Sequence, residues 1–304
     1  MADTQEPFPD VVSVDWLAER IGSVKVLDGS WYLPTAQRDP VAEFLQSRLP
    51  TAQFFELDTI ADPDTTLPHM LPSEEAFGRA ADALGIQATD TIVVYDRLGA
   101  FSAPRVWWTW RVFGHQKVAV LDGGLPAWES AGHALETSPI SAQEAAAPGL
   151  AARQGTGAPS YPAHLRRGQV AHWKEVLEAV EAPGARVVDA RAAARWRGEA
   201  AEPRPGLAAG HMPGSRNVPW DSVLERGRLR SAEQLRAVFA AAGVTPDEGA
   251  GEEPWILSCG TGTTACVLDL AMRRAFPGVN TRVYDGSWSE WGQLPGVPIA
   301  KGDA

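Results

Sequence analysis

The chain has 304 residues, enough for two domains of ordinary size that each bury a sizeable core. Its 44% hydrophobic and 21% charged residues are typical of a globular protein, and its net charge of −11 without a long basic run argues against a nucleic-acid partner. The N-terminus lacks the pattern of a signal peptide and no apolar stretch is long enough for a membrane span, so we expect a cytoplasmic protein without a membrane partner.

Short apolar runs alternate with helical patterns along the chain. Two helices are predicted, from Ser73 to Gly85 and from Ser231 to Gly243, because each pairs an N-cap serine with an acidic first turn and a terminal glycine. Such alternation predicts mostly parallel sheets flanked by helices. Six runs are predicted to be buried strands: Val24 to Leu27, Thr91 to Tyr95, Val118 to Leu121, Arg186 to Val188, Trp255 to Ser258 and Thr281 to Tyr284.

The two halves of the chain repeat one another. The stretch 139–160 is rich in Ala, Gly, Pro and Ser and lacks apolar periodicity, so we predict a linker there between domains at 8–138 and 161–304. Matching motifs recur at a nearly constant offset, as in 259 − 96 = 163. The matched pairs are Asp96 with Cys259, Asp122 with Asp285, Trp128 with Trp291 and, at an offset of 161, Asp28 with Asp189.

Cys259 directly follows a predicted strand and precedes a predicted helix. That helix carries apolar residues at positions 267, 268, 271 and 272, which share one face. The cysteine is therefore expected at the carboxyl end of a parallel strand, where open α/β sheets place their sites, and at a helix N-terminus. Only the second half carries a cysteine at this position, because the first half has Asp96.

The residues around Cys259 suit a reactive sulfur anion. A helix N-terminus favours negative charge, and thiolate is the nucleophilic form of cysteine. Gly260 and Gly262 let backbone N–H groups approach the sulfur. Hydroxyl donors follow at Thr261, Thr263 and Thr264, and the same loop would hold a persulfide anion.

The chain has only one other cysteine, Cys266, which lies inside the predicted helix beside its apolar face and is expected to be a core residue. Two cysteines seven positions apart form neither a disulfide framework nor a zinc motif. We expect a reducing compartment, at least one free thiol and no metal.

Three motifs resemble those of the two-domain rhodanese family of sulfurtransferases, and more closely its 3-mercaptopyruvate type. They are the loop Cys259 to Thr264, the segment Gly210 to Pro219 and the segment Val283 to Trp291. The resemblance extends over about residues 11–299 and implies two tandem rhodanese-like α/β domains, of which the second is catalytic. Thr261 stands where the family usually has Ser, and Thr263 stands where it usually has Val.

The resemblance also implies the sulfur donor. Thiosulfate-type members carry basic residues in the cysteine loop, whereas positions 260–264 carry none, which favours 3-mercaptopyruvate. By similarity to the family's substrate-binding stretch, Arg195 and Arg204 would bind the carboxylate and carbonyl of this 2-oxo acid. Arg191 and Arg197, in the same stretch, are expected to be surface charges.

Further roles follow from the resemblance of segments in the first half. Asp58 would orient His69, which could polarise Thr261 in a relay like that of serine hydrolases. A histidine after a proline is otherwise a loop residue or an interface contact. The first domain, with Asp96 in place of cysteine, is expected to be structural.

The implied reaction is ping-pong transfer of sulfur through a Cys259 persulfide. Pyruvate leaves first, and cyanide, a small thiol or a thioredoxin-like protein then accepts the sulfur. No metal or organic cofactor is required.

Three alternatives are compatible with the same loop. The first is a thiosulfate:cyanide sulfurtransferase with the same persulfide. The second is a cysteine phosphatase, which is disfavoured because no arginine follows Cys259 before Arg273. The third is a non-catalytic binding module.

Overall fold

A computed structural model describes residues 7–246 and 253–303, which form two compact units. The first unit comprises residues 7–32, 38–60 and 74–165. The second comprises residues 33–37, 61–73, 166–246 and 253–303. Within these described ranges, no helix is long and apolar enough to cross a membrane.

The first unit is built on five strands and six α-helices within the residues described. The strands are β1 Val11–Val12, β2 Lys25–Asp28, β3 Gln53–Phe54, β4 Ile92–Tyr95 and β5 Val118–Leu121. The helices are α1 Val14–Ala18, α2 Pro40–Gln46, α3 Glu74–Ala83, α4 Ala103–Val112, α5 Gly124–Ser130 and α6 Ala142–Gln154.

The second unit repeats this plan and adds a short hairpin. Its strands are β6 Val170–Ala171, β7 Val187–Asp189, β8 Arg216–Asn217, β9 Leu224–Glu225, β10 Arg228–Leu229, β11 Trp255–Ser258 and β12 Thr281–Tyr284. Its helices are α7 Trp173–Glu181, α8 Ala193–Trp196, α9 Ala232–Ala241, α10 Ala265–Ala275 and α11 Ser287–Trp291. Single 3₁₀ turns lie at Pro34–Ala36, Arg167–Gln169 and Trp220–Val223.

The two main sheets share one topology. The first has the order β1-β5-β4-β2-β3 and the second the order β6-β12-β11-β7-β8, and every pairing is parallel. The only antiparallel strand pair among the described elements is the hairpin of β9 and β10. The structure therefore confirms the predicted repeat of one α/β domain.

Each sheet buries side chains on both faces, which explains why its strands are apolar throughout. In β4, Val93 and Tyr95 belong to a core cluster with residues of α1, α2 and α5, whereas Val94 lies on the side of Val106 in α4. All four residues of β4 and of β11 are buried. Strands covered on both faces are expected to be continuous apolar runs, as the sequence has them.

The predicted strands and helices are confirmed, with shifts of one residue at three strands. The strands expected to end at Leu27 and Val188 each extend one residue further, to Asp28 and Asp189. Each aspartate is accommodated at its strand end because its carboxylate accepts the backbone N–H two residues on: Ser30 for Asp28 (2.9 Å) and Arg191 for Asp189 (2.8 Å).

The stretch 139–160, predicted to be a linker between the two domains, contains the helix α6 over Ala142–Gln154. A capping box begins this helix: the Ser141 hydroxyl accepts the N–H of Glu144 (3.1 Å), and the Glu144 carboxylate accepts the N–H of Ser141 (2.9 Å). Alanine is the strongest helix former, so an alanine-rich stretch with such a cap folds without an apolar stripe.

Small residues also let α6 pack tightly within the first unit. A Cβ on Gly149 would lie 2.1 Å from the hydroxyl oxygen of Thr59, so only glycine fits this approach. The Arg79 guanidinium, on α3, donates to the carbonyls of Ala151 and Ala152, both at 3.1 Å. The segment is thus an integral element of the first unit, while the boundaries of the two family domains stay predictions.

Candidate active site

Cys259 lies at the carboxyl end of β11, the central strand of the second sheet. A loop of residues 259–264, called here the cysteine loop, connects β11 to α10. The thiol is free and buried, with 1% of the residue exposed. This confirms the strand, loop and helix expected from the sequence, and it places the sulfur before the first turn of an 11-residue helix.

The cysteine loop offers backbone donors that the protein does not use. Among the residues that the structure describes, the N–H groups of residues 260–265 donate to no protein oxygen. Gly262 adopts φ +78°, a left-handed conformation that glycine takes without strain. Several free N–H groups at a helix N-terminus form a binding place for an anion.

The carbonyl groups of the loop are held by α11. The carbonyl of Cys259 accepts the N–H of Trp288 (2.9 Å). The carbonyl of Gly260 accepts both the N–H (2.8 Å) and the hydroxyl (2.7 Å) of Ser289. With its acceptors bound in this way, the loop is fixed while its donors remain available.

The equivalent loop of the first unit contains an anion of its own. The Asp96 carboxylate accepts four backbone N–H groups, from Leu98 (2.8 Å), Phe101 (2.8 Å), Ser102 (2.9 Å) and Ala103 (2.8 Å). At the offset of 163, the corresponding donors in the second unit are Thr261, Thr264, Ala265 and Cys266. Of these four, only the Cys266 N–H has a protein acceptor, the Thr263 carbonyl at 3.2 Å.

Ser287 is a site residue that the sequence analysis missed. It has φ +49°, unusual for a residue with a side chain, and its equivalent in the first unit is Gly124 at φ +55°. Its hydroxyl accepts the N–H of Cys259 (3.1 Å) and donates to the carbonyl of Tyr284 (2.7 Å). A serine at a position where the other repeat has glycine was the signal available in the sequence.

Three threonines, Thr261, Thr263 and Thr264, supply the hydroxyl groups of the cysteine loop. Thr261 and Thr263 are buried, and their hydroxyl oxygens lie 3.3 Å apart, so one donates to the other. Thr264 is half-buried and precedes α10 without a capping bond from its side chain. Cys266 is fully buried, as predicted, and its thiol donates to the Gly262 carbonyl (3.2 Å).

Arg195 lies beside the cysteine loop. Its Nη2 would be 3.2 Å from a Cβ placed on Gly260, and its Nε and Nη2 donate to the Glu202 carboxylate at 3.3 and 2.5 Å. Arg204 lies half-buried in the stretch that follows Glu202. Arg197 is partly exposed and pairs with the exposed Glu199 (2.9 Å), as expected of a surface charge.

The expectation that Arg191 is a surface charge is wrong. Its side chain is fully buried between Asp189 (2.7 Å) and Glu202 (2.8 Å), and it lies 4.1 Å from the ring centre of Trp288. Burial opposes its charged form, but the two carboxylates outweigh that effect and hold the pKa of Arg191 above its ordinary value. A buried arginine is tolerated because its charge is paired and its donors are bonded.

His69 and Asp58 belong to different units. His69 lies in the segment 61–73 of the second unit, is 5% exposed and adopts φ +62°. Two residues on, the N–H of Leu71 donates to the Asp285 carboxylate (2.8 Å), which attaches this segment to the second unit. Asp58, in the first unit, accepts the indole N–H of Trp31 (3.0 Å). The relay from Asp58 through His69 to Thr261 stays a prediction.

The repeated sheets and the cysteine loop are features of a known protein family. The family described as "Rhodanese-like domain" matches the chain twice, at residues 13–131 and 172–294. The chain therefore belongs to the rhodanese family, in a form with two tandem domains.

Relatives of known name match almost the whole chain. It is 43% identical over 306 residues to Thiosulfate/3-mercaptopyruvate sulfurtransferase 2 of Arabidopsis thaliana, which covers 97% of this chain and 87% of that protein. It is 37% identical over 291 residues to the 3-mercaptopyruvate sulfurtransferase of Escherichia coli K12, with 95% and 96% covered.

Two solved structures of relatives are also similar. SseA from Escherichia coli matches with a TM-score of 0.77 at 34% identity, over 93% of this chain and all of that chain. The Tum1 protein from Saccharomyces cerevisiae matches with a TM-score of 0.82 at 30% identity, over 98% of this chain and 100% of that one. The predicted fold of two tandem rhodanese-like domains is confirmed.

Proposed function

We propose that this protein is a sulfurtransferase that moves sulfur from 3-mercaptopyruvate to an acceptor through a persulfide on Cys259. One observation carries the proposal: Cys259 directly follows a strand and begins a loop with unused N–H donors, and four donors of the equivalent loop bind the carboxylate of Asp96. A site built to stabilise an anion at this position suits both a thiolate and the persulfide formed from it.

In the first half of the proposed reaction, the Cys259 thiolate attacks the sulfur of 3-mercaptopyruvate. A sulfur–sulfur bond forms and the carbon–sulfur bond breaks, and its electron pair leaves with the carbon as the enolate of pyruvate. The enolate takes up a proton, for which the donor thiol and the Thr261 hydroxyl are the available sources. Pyruvate then leaves, and the terminal sulfur anion is stabilised by the N–H groups of the cysteine loop.

In the second half, a nucleophile attacks the outer sulfur of the persulfide. Cyanide, a small thiol or a thioredoxin-like protein forms a new bond to this sulfur, and the sulfur–sulfur bond breaks to restore the Cys259 thiolate. The cycle is ping-pong, as expected when one covalent intermediate links two half-reactions.

The side chains near Cys259 take defined roles in this proposal. Arg195, beside Gly260, and Arg204 bind the carboxylate and carbonyl of the donor, since a planar guanidinium matches a carboxylate with two parallel hydrogen bonds. The hydroxyls of Thr261 and Thr263, which are hydrogen-bonded to each other, supply a proton donor in the cysteine loop. His69, oriented by Asp58, would polarise Thr261.

A thiosulfate:cyanide sulfurtransferase is the second candidate, because the relative from Arabidopsis thaliana is named for both donors. The cysteine loop carries no basic side chain between positions 260 and 264, which disfavours a dianionic donor. The test is to measure kcat/KM for 3-mercaptopyruvate and for thiosulfate on one preparation, with cyanide as acceptor. We expect the higher value with 3-mercaptopyruvate, and a higher value with thiosulfate would overturn the choice of donor.

We further propose that the protein works in the cytoplasm. Neither Cys259 nor Cys266 forms a disulfide, which suits a reducing compartment. A relative 42% identical to this chain is named as mitochondrial, so the location needs its own measurement. Fractionation of cells that produce the full chain should recover it with cytoplasmic markers, and recovery with an organelle would contradict this location.

A further inference from the structure

Glu202 makes three hydrogen bonds to two arginines close to the cysteine loop. Its Oε1 accepts from Nη1 of Arg191 (2.8 Å) and from Nε of Arg195 (3.3 Å). Its Oε2 accepts from Nη2 of Arg195 (2.5 Å). The side chain of Glu202 is only 3% exposed, so these contacts are shielded from water.

On one side, Glu202 is attached to the core of the second unit. Arg191 is held by both carboxylate oxygens of Asp189, at the end of β7, and by the carbonyl of Gly210 (2.9 Å). Asp189 pairs with Ser258, the last residue of β11 before the catalytic cysteine. Arg191 therefore provides Glu202 with an immobile partner.

On the other side, Glu202 fixes the orientation of Arg195. The Glu202 carboxylate accepts hydrogen bonds from Nε and Nη2, the two donors on one edge of the Arg195 guanidinium. The same Nη2 lies next to Gly260. The Nη1 end has no hydrogen bond to a described residue of the protein. A guanidinium that is hydrogen-bonded along one edge is held in a fixed orientation. Less rotamer entropy is therefore lost when its remaining donors bind a carboxylate.

We propose that Glu202 is a positioning residue that orients Arg195 for the carboxylate of the sulfur donor. This inference rests on the proposed function, in which Arg195 binds that carboxylate. Because Asp189 and Glu202 balance the charges of Arg191 and Arg195, Glu202 acts through geometry and not by adding attraction for the donor. The opposite possibility is that Glu202 competes with the donor for Arg195. That possibility predicts a lower KM for the donor when Glu202 is replaced, whereas a positioning role predicts a higher one.

The test uses two substitutions and a matched control. Glu202→Gln keeps the shape of the side chain but removes the charge, and Glu202→Asp keeps the charge but shortens the reach. Glu199→Gln is the control, because Glu199 pairs with Arg197 in the same segment but is exposed. Circular dichroism and the melting temperature establish that each variant folds, and Glu202→Asp serves if the neutral variant does not.

Steady-state turnover gives the first readout. We expect KM for 3-mercaptopyruvate to rise by roughly tenfold or more in both Glu202 variants, because a misplaced binding group costs up to about a hundredfold. The value of kcat should change much less, since Glu202 does not contact the reacting sulfur. Glu199→Gln should match the unaltered protein in both constants. A KM in the Glu202 variants that is unchanged or lower would overturn the proposal.

Alkylation of Cys259 gives a second readout that does not depend on the identity of the donor. Iodoacetate carries a carboxylate and iodoacetamide does not, so the ratio of their rates reports carboxylate binding beside the thiol. This ratio should fall by a similar factor in the Glu202 variants, and a constant ratio would contradict the role of Glu202. If the ratio falls but the unaltered protein does not turn over 3-mercaptopyruvate, the donor is wrong and the positioning role stands.

Discussion

Asp96 and Cys259 directly follow equivalent strands, and the backbone carbonyl of each accepts a hydrogen bond of 2.9 Å from an equivalent residue, Leu125 or Trp288. The two loops therefore have the same frame. In one, a carboxylate satisfies four N–H groups, and in the other a thiol stands at the strand end. The first loop thus provides a reference for what the second loop is built to bind.

The carboxylate of Asp96 should matter for stability. In Asp96→Asn, an amide NH₂ replaces one acceptor oxygen and faces backbone donors, so we expect the free energy of unfolding to fall by roughly 2–3 kcal/mol, as for a lost bond to a charged group. Urea unfolding followed by tryptophan fluorescence measures this change. Glu129→Gln, at an exposed position of α5, is the control. Equal unfolding midpoints for the two variants would refute a structural role of the carboxylate.

Two substitutions of Ser287 should distinguish the effect of backbone strain on stability from the effect of a lost hydrogen bond. Ser287→Ala and Ser287→Gly both leave the buried N–H of Cys259 without its acceptor, but glycine adopts φ +49° without strain. We expect alanine to destabilise the protein by about 1 kcal/mol more than glycine. Thermal unfolding of the two variants measures the difference. The interpretation fails if the glycine variant is the less stable of the two.

The two buried threonine hydroxyls should differ in their importance for turnover. Thr261→Val should lower kcat/KM for 3-mercaptopyruvate by about a hundredfold, because it removes the proposed proton donor from the cysteine loop. Thr263→Val should cost less than about tenfold, since it removes one neutral hydrogen bond. Thr261→Ser, which keeps the hydroxyl, is the control and should stay close to the unaltered value. Similar losses in both valine variants would mean that the pair acts as one unit.

Stability should decrease as the solution is made mildly acidic. Burial lowers the pKa of His115 and of His211 below the ordinary value of 6.5, so both bind protons less readily in the folded state than in the unfolded chain. The contribution of the two histidines to the free energy of unfolding is therefore expected to be complete above about pH 7. It should decrease as the pH drops through 6.5.

Urea titrations at several pH values test this dependence. Replacing His211 by Gln should make the free energy of unfolding depend less steeply on pH between about pH 7 and pH 5.5. The reason is that the unfolded chain then binds one of the two protons fewer. The control is His164→Gln, since His164 has an 85% exposed side chain. A slope that His211→Gln leaves unchanged would assign the pH dependence to other groups.

Most of the fold was predictable from the sequence because its strands are apolar on both faces and its repeat has a constant offset. Cys259 and Asp96 stand at strand ends that the apolar pattern alone locates. The helix α6 was not predictable in the same way, because it packs through small residues such as Gly149 and has no apolar stripe.

The sequence located the strand, loop and helix around Cys259 but not the burial of Arg191. A charged residue is usually exposed, so the sequence favours a surface position for Arg191. Its burial depends on Asp189, two residues away, and on Glu202, which returns to it from a following loop. Contacts of that kind are set by the path of loops, for which no periodic pattern exists in the sequence.

The proposed reaction depends on a persulfide carried by Cys259. Intact-mass analysis of the full chain after treatment with 3-mercaptopyruvate, with no acceptor present, tests it most directly. We expect a gain of one sulfur atom that disappears on addition of cyanide and is absent in Cys259→Ser, while Cys266→Ser still gains it. No gain with either 3-mercaptopyruvate or thiosulfate, or a gain that persists in Cys259→Ser, would contradict the proposed persulfide on Cys259.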